Sequence, residues 1–399
     1  MTAQKTIRQH LSKHGMSRRA FLKYAASMAS ALALAPADAL AFPSQLEQSY
    51  RPSVIWLSFQ ECTGCTESLT RSHAPKIEDL IFDYISLDYH HTLQAAAGYG
   101  AEQAREAAMK LHHGNYLLVV DGSVPLAMDG ACSTIAGRTN LDILQETVAG
   151  AAAVIAIGTC ATFGGLPAAR PNPTQAVGVD ELMQHGKVPQ RRLINIPGCP
   201  PLPIAISSVI AHFLAYDRFP LLDEQKRPLA FYGNTVHERC SRYHFYQQEK
   251  FAETFDDEGA RKGWCLYKLG CKGPTTHNAC SIYKWNGGTS SPIESGHGCI
   301  GCSEPGFWDQ GPFYTSLDNV VLAASGEVDV GLDVSVADGR QIYDSNCVFC
   351  HAPDPTRLNT PAGEVADVLR AGNVRAHRRL DFSANQLDAL EKYLKSLDK

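Results

Sequence analysis

The sequence of 399 residues has little excess charge of either sign and no long apolar run after residue 41. Its formal net charge of -5 provides no basic face, so nothing predicts binding to nucleic acid. A helix that spans a bilayer needs about 20 consecutive apolar residues, and no such window follows residue 41. Methionine is scarce, and none occurs after Met183. These absences leave cysteine as the main signal in the chain.

Cysteine is abundant, with 13 in the chain, and is densest between residues 237 and 302. Glycine, proline and tryptophan separate these thiols at irregular spacing, so apolar burial alone cannot build a core there. Thiolates and imidazole suit soft metal ions, and the set is too large for one tetrahedral site. We expect two iron-sulfur clusters on His237, Cys240, Cys265, Cys271, Cys280, Cys299 and Cys302. The alternative is a disulfide framework.

Residues 50–220 alternate short apolar runs with helix-like segments, a pattern typical of a parallel α/β sheet. Predicted strands cover 53–59, 81–87, 116–120, 153–157 and 193–196, and predicted helices include 101–112, 139–148 and 203–215. Ligands of such sheets bind where loops leave the carboxyl ends of the strands. Four thiols follow predicted strands and should converge at one edge: Cys62, Cys65, Cys160 and Cys199. C-x-x-C alone could also be a redox dithiol or half of a zinc site.

The motifs around these cysteines resemble those of the small, electron-transferring subunit of nickel-iron hydrogenases. They are H-E-R-C at 237–240, G-C-K-G-P at 270–274, G-C-I-G-C-S-E-P-G-F-W-D at 298–309, E-C-T-G-C at 61–65, G-T-C-A-T-F-G-G at 158–165 and P-G-C-P-P at 197–201. The resemblance covers about residues 50–317. It implies a flavodoxin-like α/β domain at 50–220 and an irregular iron-sulfur cluster domain at 221–317. A flavin site on the sheet is the competing interpretation, which thiols in those loops disfavour.

The resemblance implies three clusters. The proximal 4Fe-4S cluster would lie on Cys62, Cys65, Cys160 and Cys199, the distal 4Fe-4S cluster on His237, Cys240, Cys265 and Cys271, and the medial 3Fe-4S cluster on Cys280, Cys299 and Cys302. Pro292 matches the family's proline at the place of a fourth medial ligand. Oxygen-tolerant members carry two further cysteines where this chain has Gly64 and Gly165, so an ordinary, oxygen-sensitive proximal site is expected. Cys132 has no partner motif and is expected to be a buried free thiol.

Residues 1–41 are predicted to be a twin-arginine signal peptide. S-R-R-A-F-L-K at 17–23 precedes an apolar stretch that ends in A-L-A at 39–41, so the mature chain would begin near Phe42. This route exports folded proteins, which suits clusters inserted before export. It predicts location in the periplasm, with possible attachment to the membrane through a partner. The alternative is an amphipathic helix that happens to contain two arginines.

The end of the chain, after a linker at 318–335, resembles a small all-α class I cytochrome c at 336–399. C-V-F-C-H at 347–351 is the haem c attachment motif, in which Cys347 and Cys350 bind the haem and His351 ligates its iron. The cytochrome family usually supplies a methionine as second axial ligand, and here His377 stands near that place. Leucines at helical spacing predict a closing helix at 385–397. The alternatives are a zinc half-site and, for His377, a solvated surface histidine.

The resemblance implies a hydrogenase subunit that is active only with a separate nickel-iron large subunit. The chain has no convincing nickel site and no predicted catalytic residue of its own. Electrons from H2 would pass through two 4Fe-4S clusters, one 3Fe-4S cluster and one haem c to a c-type or membrane cytochrome. Glu61 and Glu67 mark the expected interface with the large subunit. Two other functions stay open, namely an H2-sensing regulatory subunit and a free-standing periplasmic electron carrier.

Overall fold

The computed structural model describes residues 6–14, 16–73, 75–311, 313–314, 343 and 384–397. The chain divides into two compact units, Met1–Tyr314 and Thr315–Lys399. The described helices are α1 Ile7–His14, α2 Arg18–Ala31, α3 Pro36–Gln48, α4 Gly64–Thr70, α5 Ile77–Asp79, α6 Gly98–Leu111, α7 Asn140–Ala149, α8 Gly158–Phe163, α9 Val179–Gln184, α10 Pro203–Tyr216, α11 Leu229–Tyr232, α12 Tyr243–Gln247, α13 Glu258–Arg261, α14 Cys280–Tyr283 and α15 Ala384–Leu397. The described strands are β1 Ser53–Ser58, β2 Ser86–His90, β3 Tyr116–Asp121, β4 Val124–Pro125, β5 Thr134–Ile135, β6 Arg138–Thr139, β7 Ala151–Ile157, β8 Ala176–Val177 and β9 Leu193–Ile196.

A five-stranded parallel sheet forms the centre of the first unit, with the strand order β2-β1-β3-β7-β9. All residues of β1, β3 and β9 are buried, as expected for strands that are covered on both faces. Val54 pairs with Leu117, and Val154 pairs with Leu193, which fixes the register across the sheet. The predicted parallel α/β sheet is therefore confirmed. Strands β1, β3, β7 and β9 and helices α6, α7 and α10 lie where the sequence predicts them.

The predicted strand at 81–87 is wrong. Leu80–Tyr84 forms a π-helix, and the neighbouring strand β2 is Ser86–His90. Leu80 and Tyr84, four positions apart, are buried, whereas Phe82 between them is 60% exposed. Apolar residues that bury one side at this spacing follow a helical period rather than the two-residue period of a strand.

The two faces of the sheet build two separate apolar clusters, because side chains alternate between the faces of a strand. Trp56, Val119 and Ile155 point to the face that is covered by α10 and by the N-terminal helices α2 and α3. Leu57, Leu118 and Val154 belong to the opposite face, which is covered by α6, α7 and α9. Both faces are therefore occupied, and the loops at the carboxyl edge are left to form sites.

The chain becomes irregular after α10. Helices α11 to α14 have only four or five residues each, and two 3-10 turns, Tyr267–Leu269 and Gly273–Thr275, lie between α13 and α14. A small apolar cluster holds this region together and consists of Val236, Ala252, Leu266, Leu269, Cys271 and Ile293. Because so few apolar side chains are buried, the packing of this region depends on its thiols as well as on its core.

The second unit is described at Tyr343 and at α15. Leu387, Leu390 and Leu394 are buried along one side of α15, and the rings of Tyr343 and Tyr393 lie 5.9 Å apart. The predicted closing helix is thus confirmed. The predicted haem ligands Cys347, Cys350, His351 and His377 lie outside the described residues. Among the helices that the structure describes, none is long and apolar enough to cross a bilayer.

Candidate metal centres

Four thiols meet at the carboxyl edge of the sheet, and we call them the proximal group: Cys62, Cys65, Cys160 and Cys199. Cys62 and Cys65 follow β1, Cys160 lies in α8 directly after β7, and Cys199 follows β9. Burial raises the pKa of Cys160 to about 12, and the charges of Cys199 and Cys62 add to the effect. Burial likewise raises the pKa of Cys199 to about 11, with Cys62 again contributing. The structure therefore brings together the four thiols that the sequence places on separate loops.

The backbone of three glycines lies close to the sulfur atoms of the proximal group. A Cβ atom on Gly158 would lie 2.4 Å from Cys65 Sγ, and one on Gly165 would lie 2.5 Å from Cys160 Sγ. Both glycines also have positive φ angles, which L side chains adopt at a cost. A Cβ atom on Gly64 would lie 3.1 Å from Cys62 Sγ. The backbone thus approaches these sulfur atoms more closely than a residue with a side chain could.

Asp121 is a buried acid beside the proximal group, at the end of β3. Burial raises the pKa of this carboxyl group to about 7, and the charge of Glu61 adds to the effect. Burial raises the pKa of Cys65 well above its usual value, and Asp121 contributes the next largest share. The sequence alone did not single out Asp121. Its position at the end of a central strand is the signal that could have placed it at the site.

The second set, which we call the distal group, consists of His237, Cys240, Cys265 and Cys271. Burial raises the pKa of Cys265 to about 11, and the charges of Cys271 and Cys240 add to it. His237 N donates to Gly273 O at 3.2 Å, and a Cβ atom on Gly273 would lie 3.4 Å from Cys271 Sγ. The backbone of His237 is therefore held beside the loop that carries Cys271.

Two tyrosines fix the ring of His237. The ring centroids of Tyr243 and Tyr246 lie 4.9 Å and 4.5 Å from that of His237, both in edge-on contact. Partial burial lowers the pKa of His237. A lowered pKa keeps the imidazole neutral, and a neutral imidazole is the form that can ligate a metal.

The third set, the medial group, consists of Cys280, Cys299 and Cys302. These three thiols line a cavity of about 370 Å³, together with Pro292 and Asn278. Burial raises the pKa of Cys299 to about 12, and the charges of Cys271 and Cys302 contribute. Cys280 Sγ donates to Asn278 Oδ1 at 3.2 Å, a contact that sequence reasoning did not anticipate. Pro292, which cannot ligate a metal, thus lines the same cavity as the three thiols.

Hydrogen bonds join the three groups in a fixed order. Thr159 Oγ1 accepts from Gly198 N at 2.9 Å and donates to Cys302 O, so it connects the loop of Cys199 with the medial group. On the other side, Cys299 N donates to Cys271 Sγ at 3.3 Å. The medial group therefore lies between the other two, linked to the proximal loop through Thr159 and directly to Cys271 of the distal group.

The described cysteines are all free thiols, so the disulfide alternative finds no support among them. Cys132 is a correction, because the structure places it at the surface and not in the core. It is exposed in a turn between short strands, where its Sγ donates to Ala127 O at 3.6 Å.

The donor set fits iron-sulfur clusters. In the part of the chain that the structure describes, no three His, Cys, Asp or Glu side chains converge closely enough to hold a single metal ion. Iron-sulfur clusters are bound by cysteine thiolates, with histidine as an occasional replacement. Three separate sets of thiols, with close glycine backbone around the proximal and distal sets, provide the donors that such clusters require.

Comparisons with known proteins agree on one family. Residues 232–314 match the family model for the C-terminal part of the NiFe/NiFeSe hydrogenase small subunit, and residues 62–213 match that of the NADH ubiquinone oxidoreductase 20 Kd subunit. The Hydrogenase-1 small chain of Citrobacter freundii is 46% identical over 317 residues, which cover 79% of this chain and 83% of that protein. The uptake hydrogenase small subunit of Azotobacter vinelandii is 46% identical over 320 residues, covering 80% and 88%. A chain of the H2-activated [NiFeSe]-hydrogenase of Dm. baculatum has a TM-score of 0.63 and 33% identity, covering 67% of this chain and 100% of that chain.

Proposed function

The chain belongs to the family of nickel-iron hydrogenase small subunits, and from this premise we propose that it carries electrons from H2 oxidation in the large subunit to a haem c and then to a periplasmic or membrane acceptor. Members of this family are electron-transfer subunits that act with the large subunit. The observation that carries the proposal is that hydrogen bonds link the three thiol groups one after another. Electron transfer through a protein needs such closely spaced redox sites.

Eleven side chains would hold three clusters, which supply one-electron oxidation and reduction when bound. The proximal group would hold a 4Fe-4S cluster at the sheet edge, where Glu61 and Glu67 border the interface with the large subunit. The distal group would hold a second 4Fe-4S cluster, with His237 as the imidazole ligand. The medial group would hold a 3Fe-4S cluster, because it offers three thiols and Pro292 cannot provide a fourth ligand.

Oxygen sensitivity belongs to the same proposal. The places of the two extra cysteines found in oxygen-tolerant relatives are Gly64 and Gly165 in this chain. A Cβ atom on Gly165 would also lie 2.7 Å from the Cα atom of Cys160, so this backbone leaves no room for a side chain there. The proximal group is therefore limited to its four thiols.

The two ends of the chain complete the proposal. Residues 1–41 would direct export of the folded protein to the periplasm, and residues 336–399 would form a cytochrome c-like domain after the linker at 318–335. Cys347 and Cys350 would attach the haem, with His351 and His377 as axial ligands. The twin-arginine motif and C-V-F-C-H support these assignments together, because both suit a protein that is exported to the periplasm.

Isolation of the native complex tests the function directly. We expect an affinity tag on this chain to recover a large subunit in equal amount, with nickel, and the complex to reduce artificial dyes with H2. The chain without its partner should show iron-sulfur and haem absorption and no H2 turnover. Recovery of the chain from the periplasm with no nickel and no partner would instead establish a free-standing electron carrier.

A further inference from the structure

The predicted export segment is not free in this structure but is packed into the first unit. Phe21, Ala25 and Met28 of α2 are each at most 1% exposed. Their spacing of four and three residues places them on one side of the helix, so they form a continuous apolar stripe. Leu22 and Ala26, on other sides of α2, are exposed. The stripe that a membrane would receive is therefore buried inside the protein.

Helix α2 packs against α10, and the ring of Phe21 also stacks on that of Tyr84 in the π-helix, 6.4 Å away. Pro203 and all residues from Ala205 to Phe213 are buried, including the polar Ser207, Ser208 and His212, so no side of this part of α10 faces water. The sheet covers one side of α10, and α2 and α3 cover the other.

Directional contacts fix the position of the N-terminal helices. Tyr216 Oη donates to Asp38 O at 2.9 Å, and Ser49 Oγ donates to Leu214 O at 2.7 Å. Tyr283 Oη, in the irregular region, donates to Ala31 O at 3.3 Å. Hydrogen bonds to three separate backbone positions define one orientation, which nonspecific apolar contact would not do.

In this arrangement the arginine pair of the export segment is exposed, whereas its predicted cleavage point lies within a packed helix. Arg18 and Arg19 are exposed, and Arg18 makes a long ion pair of 3.8 Å with Glu47. The predicted cleavage point at residues 39–41 lies inside α3, and Phe42 is fully buried with its ring 6.0 Å from that of Tyr216. Proteases cleave segments that have opened, so cleavage requires α3 to leave this position.

We propose that the folded precursor masks its own export segment, with residues 18–48 docked on α10. The docked state displays the arginine pair and withholds both the apolar stripe and the cleavage point. Recognition of the arginines and insertion of the stripe into a membrane are therefore separate steps, with undocking between them. The inference rests on the proposed function only in treating residues 1–41 as an export segment.

Hydrogen exchange on the full-length, cluster-loaded chain tests the docking, with a matched pair of variants. Ala25→Glu places a carboxylate in the buried stripe, and Ala26→Glu places the same charge on the exposed side of the same helix. We expect amides of residues 21–31 in the wild-type chain to exchange on the order of 100-fold more slowly than in a synthetic peptide of residues 1–35. Ala25→Glu should remove most of this protection, because an unpaired charge is costly to bury. Ala26→Glu should retain it.

Limited proteolysis gives an independent readout at the cleavage point. Ala25→Glu should increase the rate of cutting within residues 36–48 by about tenfold or more, while Ala26→Glu stays near the wild-type rate. The proposal is overturned if wild-type residues 21–31 exchange as fast as the peptide, or if the two variants behave alike. Failure of export in all three chains would count against the signal assignment alone, since docking is measured on the purified chain.

Discussion

At the scale of single residues, Thr159 has the most consequential contacts. It is fully buried, with 1% of its surface exposed, and its single hydroxyl serves two loops that carry ligands of different groups. Sequence reasoning treated Thr159 only as a letter in the G-T-C motif, because a hydroxyl that reaches a loop more than 140 positions away leaves no local pattern.

Replacement of Thr159 by valine keeps the shape of the side chain and removes both hydrogen bonds. Gly198 N and Cys302 O would then be buried without this partner, at a cost of about 1–3 kcal/mol. We expect a lower melting temperature and an altered electron-spin resonance signal of the medial site. Thr159→Ser is the control, because it retains the hydroxyl and should stay close to the wild type. Equal behaviour of the two variants would show that the hydroxyl does not position these loops.

Pro292 offers a second residue-scale test. It lines the cavity of the three medial thiols, so Pro292→Cys would add a fourth thiol there. We expect loss of the oxidised 3Fe-4S electron-spin signal and a lower reduction potential, because 3Fe-4S and 4Fe-4S clusters differ in charge and coordination. Pro292→Ala should keep both properties of the wild type. A folded cysteine variant with an unchanged 3Fe-4S signal would argue against the medial assignment.

At the scale of elements, the end of β2 contains a pH-dependent contact. His90 is fully buried, and its Nδ1 accepts from Thr92 N at 3.1 Å and from Leu93 N at 3.3 Å. Burial lowers its pKa from 6.5 to about 4, and the neighbouring His91 adds to the effect. The stabilisation is therefore complete above pH 6.5 and is lost as the pH falls toward 4, since the unfolded chain takes up the proton first.

His90→Asn should flatten this pH dependence. Asparagine keeps an acceptor near the position of Nδ1 but does not titrate. Between pH 6.5 and 4, the wild type should lose on the order of 3 kcal/mol more stability than the variant, as follows from 1.36 kcal/mol for each unit of pKa shift. Denaturant unfolding followed by circular dichroism measures the difference. His185→Gln, at an exposed position, should retain the wild-type pH dependence.

The sheet and its helices were predictable because their residues are buried in simple periods. Strand β7 is a continuous apolar run, and β3 and β9 are apolar except for Asp121 and Asn195, a pattern that requires cover on both faces. The segment at 81–87 was predicted as a strand because it is rich in apolar residues. The buried residues Leu80 and Tyr84 are four positions apart, which is a helical spacing. Cys132 was placed in the core from its residue type alone, although it lies on an exposed turn. Local sequence identifies an element more reliably than it identifies the partner that covers it.

At the candidate metal centres, too, local sequence predicts some features, and tertiary contacts determine the others. Irregularly spaced thiols predict metal ligands, and the resemblance of the motifs around them implies their division into three groups, which stays a prediction. The contacts of Thr159, Asp121 and Asn278 were not predictable, since each depends on loops that meet only in the folded chain. The packing of α2 on α10 was missed for a related reason. Both helices read as apolar segments, and only the tertiary structure shows that each covers the other.

At the scale of the whole molecule, the three thiol groups of the first unit are linked in the order proximal, medial, distal, and the proposed haem would be attached to residues of the second unit. Covalent connection raises the effective concentration of one site near another, so even weak docking of a haem domain supports frequent encounters. We therefore expect electrons to leave through the haem. With His377 as axial ligand, its potential should be lower than that of a His/Met haem, because methionine ligation raises the potential.

The double variant Cys347→Ser with Cys350→Ser tests this exit. Without the two thiols the haem cannot be attached, whereas the eleven predicted cluster ligands of the first unit remain. The intact complex should then reduce small artificial dyes with H2 at close to the wild-type rate and should no longer reduce a cytochrome c acceptor. His377→Ala serves as the companion variant, with haem still attached but an altered haem spectrum. If the haemless complex reduced its natural acceptor at the full rate, electrons would have to leave directly from the distal group, beside His237.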